Sequence, residues 1–258
     1  MSEEKFVEEL SKIGINLNEK QIKQLKEYCD LIIEWNDKIN LTAITDPKDI
    51  YLKHFYDSLT LFKAIDLNRE LNLCDVGSGA GFPGIVLKIV YPNLEIVLVD
   101  SLNKRVTFLN TVIKKLHLEK IEAIHERAEI YAKENREKYD LVTARAVANL
   151  TMLSELCIPL VKEKGYFIAM KSNNKQEIDD SYQAIKELGG KIEKIINFKL
   201  PYENSDRSLV KIRKEKKTPK TFPRRYSDIK NKPLKWGLFL FPKIKKYFPI
   251  FLALLKNI

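Results

Sequence analysis

The sequence predicts a three-layer α/β sandwich carrying a helical N-terminal cap. Three observations carry this expectation. From about residue 71, short apolar runs alternate with amphipathic stretches of helix length, the pattern of parallel strands joined by crossover helices. The first run leads directly into a glycine-rich turn between Asp75 and Gly84. The last two candidate strands are separated only by a loop, so they are expected to close the sheet as an antiparallel pair.

The cap comes first. Asn18 followed by Gln21 has the spacing of a capping box, and Ile22, Leu25, Cys29, Ile32 and Trp35 follow at helical intervals. Asp46-Pro47 starts another helix, because Asp suits the N-cap and proline lacks only an N–H that the first turn leaves unused. Ile50, Phe55, Leu59 and Phe62 would form its apolar side. Five strands are then expected at Leu71–Val76, Glu95–Asp100, Ile121–His125, Asp140–Ala144 and Gly165–Met170. Lys191–Leu200 and Ser208–Ile212 make seven, so the sheet is mostly parallel. The proline-rich, basic stretch Thr218–Leu234 is expected to be extended, and the aromatic stretch Trp236–Ile258 could pack on the body, pair with a partner or lie on a membrane surface, packing being the first expectation. The chain thus divides into a cap (1–66), a core (67–214) and a basic, then apolar, C-terminal extension (215–258).

Composition narrows the class. With 258 residues, 45% hydrophobic and 31% charged, the chain has enough apolar side chains for a sizeable core, which excludes a disordered polymer. Cys29, Cys74 and Cys157 form no C-x-x-C pair, so neither a disulfide scaffold nor a cysteine-rich zinc module is expected, and no metal site is read. The polar, acidic start is no secretory signal, and no apolar run approaches the roughly 18 residues of a membrane span. A cytoplasmic protein is expected.

Charge is distributed unevenly. The formal net charge is +10. Residues 211–235 hold eleven Lys/Arg against Glu215 and Asp228, and residues 236–258 add four lysines without an acid. A basic segment on a nearly neutral body points to a polyanion partner such as nucleic acid, or to a solvated tail.

Asp75-Val-Gly77-Ser-Gly79-Ala-Gly81-Phe-Pro-Gly84 is the strongest chemical signal. Glycines permit left-handed dihedrals and let a ligand lie against bare backbone. Gly79-x-Gly81-x-x-Gly84 matches the dinucleotide fingerprint, so a NAD-dependent oxidoreductase must be weighed. Asp75 argues against it, since a carboxylate aimed at this loop would repel pyrophosphate and suit the cationic methionine end of S-adenosyl-L-methionine. Asp100, at the end of the second strand, is placed to accept from ribose hydroxyls of either cofactor. Glu129 could accept from an adenine amino group or simply start a helix. Arg145, ending the fourth strand, could meet cofactor or substrate or serve as a structural ion-pair partner.

These residues, with two blocks upstream, closely resemble the bacterial 16S ribosomal RNA guanine-N7 methyltransferase family, also called the glucose-inhibited division protein B family. The blocks are Trp35 to Thr42, Lys53 to Leu59, Asp75 to Gly84, Asp100 to Arg105, Arg127-Ala128-Glu129, Arg145-Ala146, Leu200-Pro-Tyr202, Arg207, Pro223-Arg-Arg225 and Lys232-Pro-Leu234. The resemblance implies a class I S-adenosylmethionine-dependent methyltransferase with a Rossmann-like core, acting on N7 of the guanine at position 527 of small-subunit RNA, free or within the ribosomal subunit. It implies cofactor contacts at Gly77, Phe82, Ala128, Glu129 and Arg145, to which the ribose argument adds Asp100. The family commonly ends its fifth strand in Lys-Gly where this chain has Lys171-Ser172, and Trp236–Ile258 extends beyond the resemblance.

Methylation at N7 needs no general base, because that nitrogen has an in-plane lone pair and no proton; no catalytic side chain is therefore assigned. His54 is read as fastening the cap to a neighbouring loop, with Asp57 and Ser58 beside it. Asn36 and Asn40 could read a base edge or cap a helix, and Tyr28, Phe55 and Phe62 are read as core. Lys104, Arg105, Arg207, Arg224, Arg225 and Lys232 are the candidate RNA contacts, since phosphate contact calls for cations in a row. The alternatives are the oxidoreductase, a small-molecule methyltransferase and a non-catalytic RNA-binding protein.

Overall fold

A computed structural model describes residues 1–145, 148–172, 175–203 and 205–234. Ala146 and the aromatic stretch Trp236–Ile258 lie outside the described residues.

The capping box forms as spaced: Asn18 accepts from the Gln21 N–H at 3.0 Å, and the Gln21 side chain accepts from the Asn18 N–H at 2.9 Å. Helix α2 (Glu19–Ile39) follows α1 (Glu3–Lys12) and buries Leu25, Tyr28, Cys29, Leu31 and Ile32. Asn40 closes it in the left-handed conformation, and the Asn36 carboxamide accepts from the Thr42 N–H. Both asparagines thus serve the helix end.

Asp46 caps the next rod as expected, yet the rod is not one α-helix. A single α-turn (α3, Pro47–Asp49) gives way to a π-helical stretch, Ile50–Tyr56, then to another α-turn (α4, Asp57–Leu59) and a 3₁₀ turn at Thr60–Lys63. The wider π turn admits one extra residue. It lets Tyr51 and Phe55 enter the core while His54 and Asp57 face the sheet edge.

The sheet is seven-stranded: β1 (Asn72–Val76), β2 (Glu95–Asp100), β3 (Ile121–His125), β4 (Tyr139–Arg145), β5 (Val161–Lys171), β6 (Gly190–Lys199) and β7 (Asp206–Lys214). Their order across the sheet is β3-β2-β1-β4-β5-β7-β6, with β7 alone running against its neighbours. The helices between them are α5 (Gly84–Val90), α6 (Asn103–Lys115), α7 (Ala128–Glu134), α8 (Leu150–Cys157) and α9 (Lys175–Glu187). Alternation along each strand feeds two cores. Leu73, Leu98 and Leu141 pack with the cap, α5 and α6, whereas Cys74, Val142 and Phe167 pack with α7, α8 and α9. Cap and sheet therefore share one apolar cluster.

The stretch Thr218–Leu234, expected to be extended, contains a short helix, α10 (Tyr226–Asn231). Its six residues include no proline, and Ile229 finds a fully buried place beside Phe222 and Leu234 in the second core. The Arg136 guanidinium, donating to the carbonyls of Thr218 and Phe222, ties the segment down. No described helix is long and apolar enough to cross a membrane.

Candidate functional site

Strand order reverses between β1 and β4, and in open α/β sheets that switch point opens a crevice at the carboxyl ends of the strands. Here the crevice begins with the glycine loop. Gly77, Gly79 and Gly81 all take left-handed dihedrals, with φ of 72°, 60° and 96°. At Gly81 a Cβ would fall 2.5 Å from Ile85 Cγ1, so only glycine fits. The loop is pinned by the sheet: the Gly79 N–H donates to Asp100 Oδ2 and the Gly84 N–H to Asp75 Oδ2, each at 2.9 Å. From the cap, the buried Tyr28 hydroxyl donates to the Ala80 carbonyl.

The loop walls a cavity of about 460 Å³. Gly77, Phe82, Asp100, Ala128, Glu129 and Arg145 all line it, joined by Leu41, Thr42 and His54 from the cap, Leu156 from α8 and Tyr226 from α10. Asp75 departs from expectation. It is fully buried and absent from the cavity wall; Oδ2 braces Gly84 and Oδ1 has no partner, so it supports the loop from the sheet side. Burial pushes its carboxyl up to about 7, against the pull of the Gly84 N–H.

Asp100 is 3% exposed, and its oxygens already accept from the Gly79 and Leu102 N–H groups. Arg105 lies 3.5 Å away. A carboxylate offers about four acceptor positions, so capacity for a ribose hydroxyl remains. Glu129 Oε1 holds the Arg127 Nε at 2.6 Å.

Arg145 stands at the far end, in both of the roles left open for it. Its guanidinium pairs with Asp57 at 3.1 Å, donates to His54 Nδ1 at 3.2 Å and lies over the Phe82 ring at 4.9 Å from its centroid, while also lining the cavity. His54 stacks on Phe82 with centroids 4.3 Å apart, and its Nε2 meets the Thr42 hydroxyl at 2.9 Å. Because Arg145 donates to Nδ1, the ring proton belongs on Nε2, facing Thr42. Burial first, and the adjacent Arg145 second, push the imidazole down to about 3. His54 is thus a neutral clasp between cap and glycine loop.

A second cavity, about 390 Å³, opens beyond this clasp. It shares His54 and Arg145 with the first. Ile44, Met170, Phe198 and Leu209 give it apolar walls; Asp57, Arg207, Lys171 and Ser172 give it polar ones. Arg207 Nε binds the other oxygen of Asp57, at 3.2 Å. Lys171 is held by Glu177 at 2.6 Å and by the Ala148 carbonyl at 2.8 Å.

The remaining expected RNA contacts separate. Lys104 is exposed on the first turn of α6, Arg225 is exposed at the N-cap of α10, and Lys232 is exposed just after it. Arg224 is turned inward: it binds Glu155, whose side chain is 1% exposed, through Nε at 2.8 Å and Nη2 at 2.6 Å. A buried carboxylate holds its fork, so it is less open to a phosphate than Arg225 beside it. Sequence reasoning missed Thr42, Leu156 and Tyr226 as cavity walls. Thr42 lay inside a quoted block, but no spacing signal marks the other two.

The family model for rRNA small subunit methyltransferase G matches residues 21–210. The small-subunit ribosomal RNA methyltransferase G of Staphylococcus carnosus is 50% identical, covering 91% of this chain and 99% of that protein. That of Oceanobacillus iheyensis is 51% identical, covering 87% and 96%. A solved Pyrococcus horikoshii structure, 12% identical with a TM-score of 0.50, covers 61% of this chain and 62% of that one and shares the fold. The relatives set aside the nicotinamide, small-molecule and non-catalytic readings. A glycine turn pinned from both sides walls one cavity that shares His54 and Arg145 with a second, and the chain belongs to the rRNA small subunit methyltransferase G family, with S-adenosyl-L-methionine as its methyl donor.

Proposed function

We propose that the chain methylates N7 of a guanine in 16S ribosomal RNA, at position 527 by its family resemblance, with the donor in the first cavity and the target base in the second. The observation that carries this is their shared wall, His54 and Arg145, which brings the two chambers to one junction. Donor fit rests on the bare backbone at Gly77 and Gly79, the two carboxylates Asp100 and Glu129, and the aromatic ring of Phe82.

S-adenosyl-L-methionine supplies an electrophilic methyl on a sulfonium. The chain's own residues have to orient two partners and exclude water, and positioning of this kind can supply much of a rate enhancement. Phe82 and His54 present flat, uncharged surfaces at the junction. A neutral imidazole avoids repelling a cation there. With one ring nitrogen accepting from Arg145 and the other facing Thr42, His54 has no free site for proton abstraction, which suits an acceptor nitrogen that carries no proton.

In the second cavity, apolar walls suit a base lifted out of the RNA stack. Lys104, Arg105, Arg207, Arg225 and Lys232 are proposed to meet the RNA, and a ribosomal substrate supports a cytoplasmic enzyme. The decisive experiment maps N7-modified guanines in small-subunit RNA by borohydride and aniline cleavage, from cells with and without the gene. One guanine losing its modification with the gene is expected; an unchanged cleavage pattern would overturn the reading. Gly77→Asp, which puts a side chain and a charge into the loop, is expected to abolish donor binding in calorimetry.

A further inference from the structure

The first cavity has a wall contributed from outside the family-matched region. Tyr226 opens α10 and lines the cavity although it lies beyond residue 210. Its ring is not needed to anchor the segment. Arg224 is locked on Glu155, Arg136 holds two carbonyls, and Phe222, Ile229 and Leu234 are buried, whereas Tyr226 is 38% exposed.

What Tyr226 does touch is Arg127, whose guanidinium lies 4.7 Å from the ring centroid. Arg127 is in turn fixed by Glu129 at 2.6 Å. This places an aromatic ring, a planar cation and a carboxylate at one end of the cavity. His54 and Arg145, shared with the second chamber, mark the other end. The methyl group must face the second chamber to reach an acceptor. Of the two longer arms on the sulfonium, the adenosyl one is the arm that Asp100 and Glu129 are read to receive, and Glu129 holds Arg127 against Tyr226, so the adenine faces Arg127 and Tyr226.

Resting on the reading of this cavity as the donor site, we propose that Tyr226 is a cofactor-binding residue whose ring covers the adenine of S-adenosyl-L-methionine, with Arg127 holding it in place. Aromatic rings bind flat heterocycles through offset stacking and dry contact. The 4.7 Å between Arg127 and Tyr226 leaves no room for a base between them, so adenine meets Tyr226 on the cavity side. The C-terminal extension thereby completes the donor site.

The test is calorimetry on the full chain with S-adenosylhomocysteine and, separately, with adenosine, comparing wild type with Tyr226→Ala, Tyr226→Leu and Tyr226→Phe. Tyr226→Ala and Tyr226→Leu are expected to lose roughly tenfold in affinity for both ligands, the scale of one base–aromatic contact, while Tyr226→Phe stays within about twofold. Thermal melts identify any variant that has lost its fold, and Tyr226→Phe preserves the comparison if the smaller side chains unfold. The KM of Tyr226→Ala for S-adenosyl-L-methionine is expected to rise by roughly the same tenfold. Wild-type affinity in Tyr226→Ala, or full affinity in Tyr226→Leu, would overturn the role of the ring. A wild-type chain that bound neither ligand would instead overturn the assignment of the cavity.

Discussion

His54 and Asp75 titrate in opposite senses. The carboxyl of Asp75 rises from its ordinary 3.8 to about 7 on folding, so the native state holds a proton that the unfolded chain has lost. Its contribution to stability is present below about 3.8 and lost as pH rises through 7. The imidazole of His54 falls from 6.5 to about 3, so its contribution is present above 6.5 and lost as pH falls toward 3. Across pH 4 to 6.5 the two slopes oppose each other. Asp75→Asn is expected to leave stability falling steeply on acidification, and His54→Gln to leave it rising, as urea titrations at a series of pH values would measure. Arg224→Ala should cost about 3 kcal/mol, because Glu155 would remain buried without its partner; chemical denaturation checks this. Neither effect was legible in the sequence. Arg224 reads as one cation among many until the fold delivers Glu155 to it, and a buried carboxylate looks the same as a ligand-facing one in a motif.

The strands and their helices were legible because short apolar or alternating runs recur between amphipathic stretches of helix length, and all seven runs became strands within a few residues. The antiparallel pair followed from a connection too short for a crossover. The rod after Asp46 was legible only at its start. Its π turn answers to Phe82, Arg145 and Arg207, which lie in distant parts of the chain, so apolar spacing at 3.6 residues could not reveal it. The loop–helix junction is tight as well: a Cβ at Gly84 would sit 2.2 Å from Leu98 Cδ2 and 3.0 Å from Asp75 Oδ2. Gly84→Ala is expected to destabilise by about 1–3 kcal/mol and lower Tm, as differential scanning calorimetry would register.

For the molecule as a whole, the uneven charge was plain in the sequence, but its division of labour was not. Part of the basic segment is structural: Lys214 is buried, donating to the Ile158 carbonyl and the Thr218 hydroxyl, and Arg224 serves Glu155. Arg225 and Lys232 remain on the surface. Replacing both with alanine is expected to reduce the slope of log affinity against log salt by roughly 1.5, measured by RNA filter binding, without loss of Tm.

The party wall between the chambers also has a use in inhibitor design. Since an imidazole and a guanidinium stand where the rooms adjoin, a single compound tethering an adenosyl unit to a purine through a short linker would straddle them, gaining the avidity of two modest ligands at once.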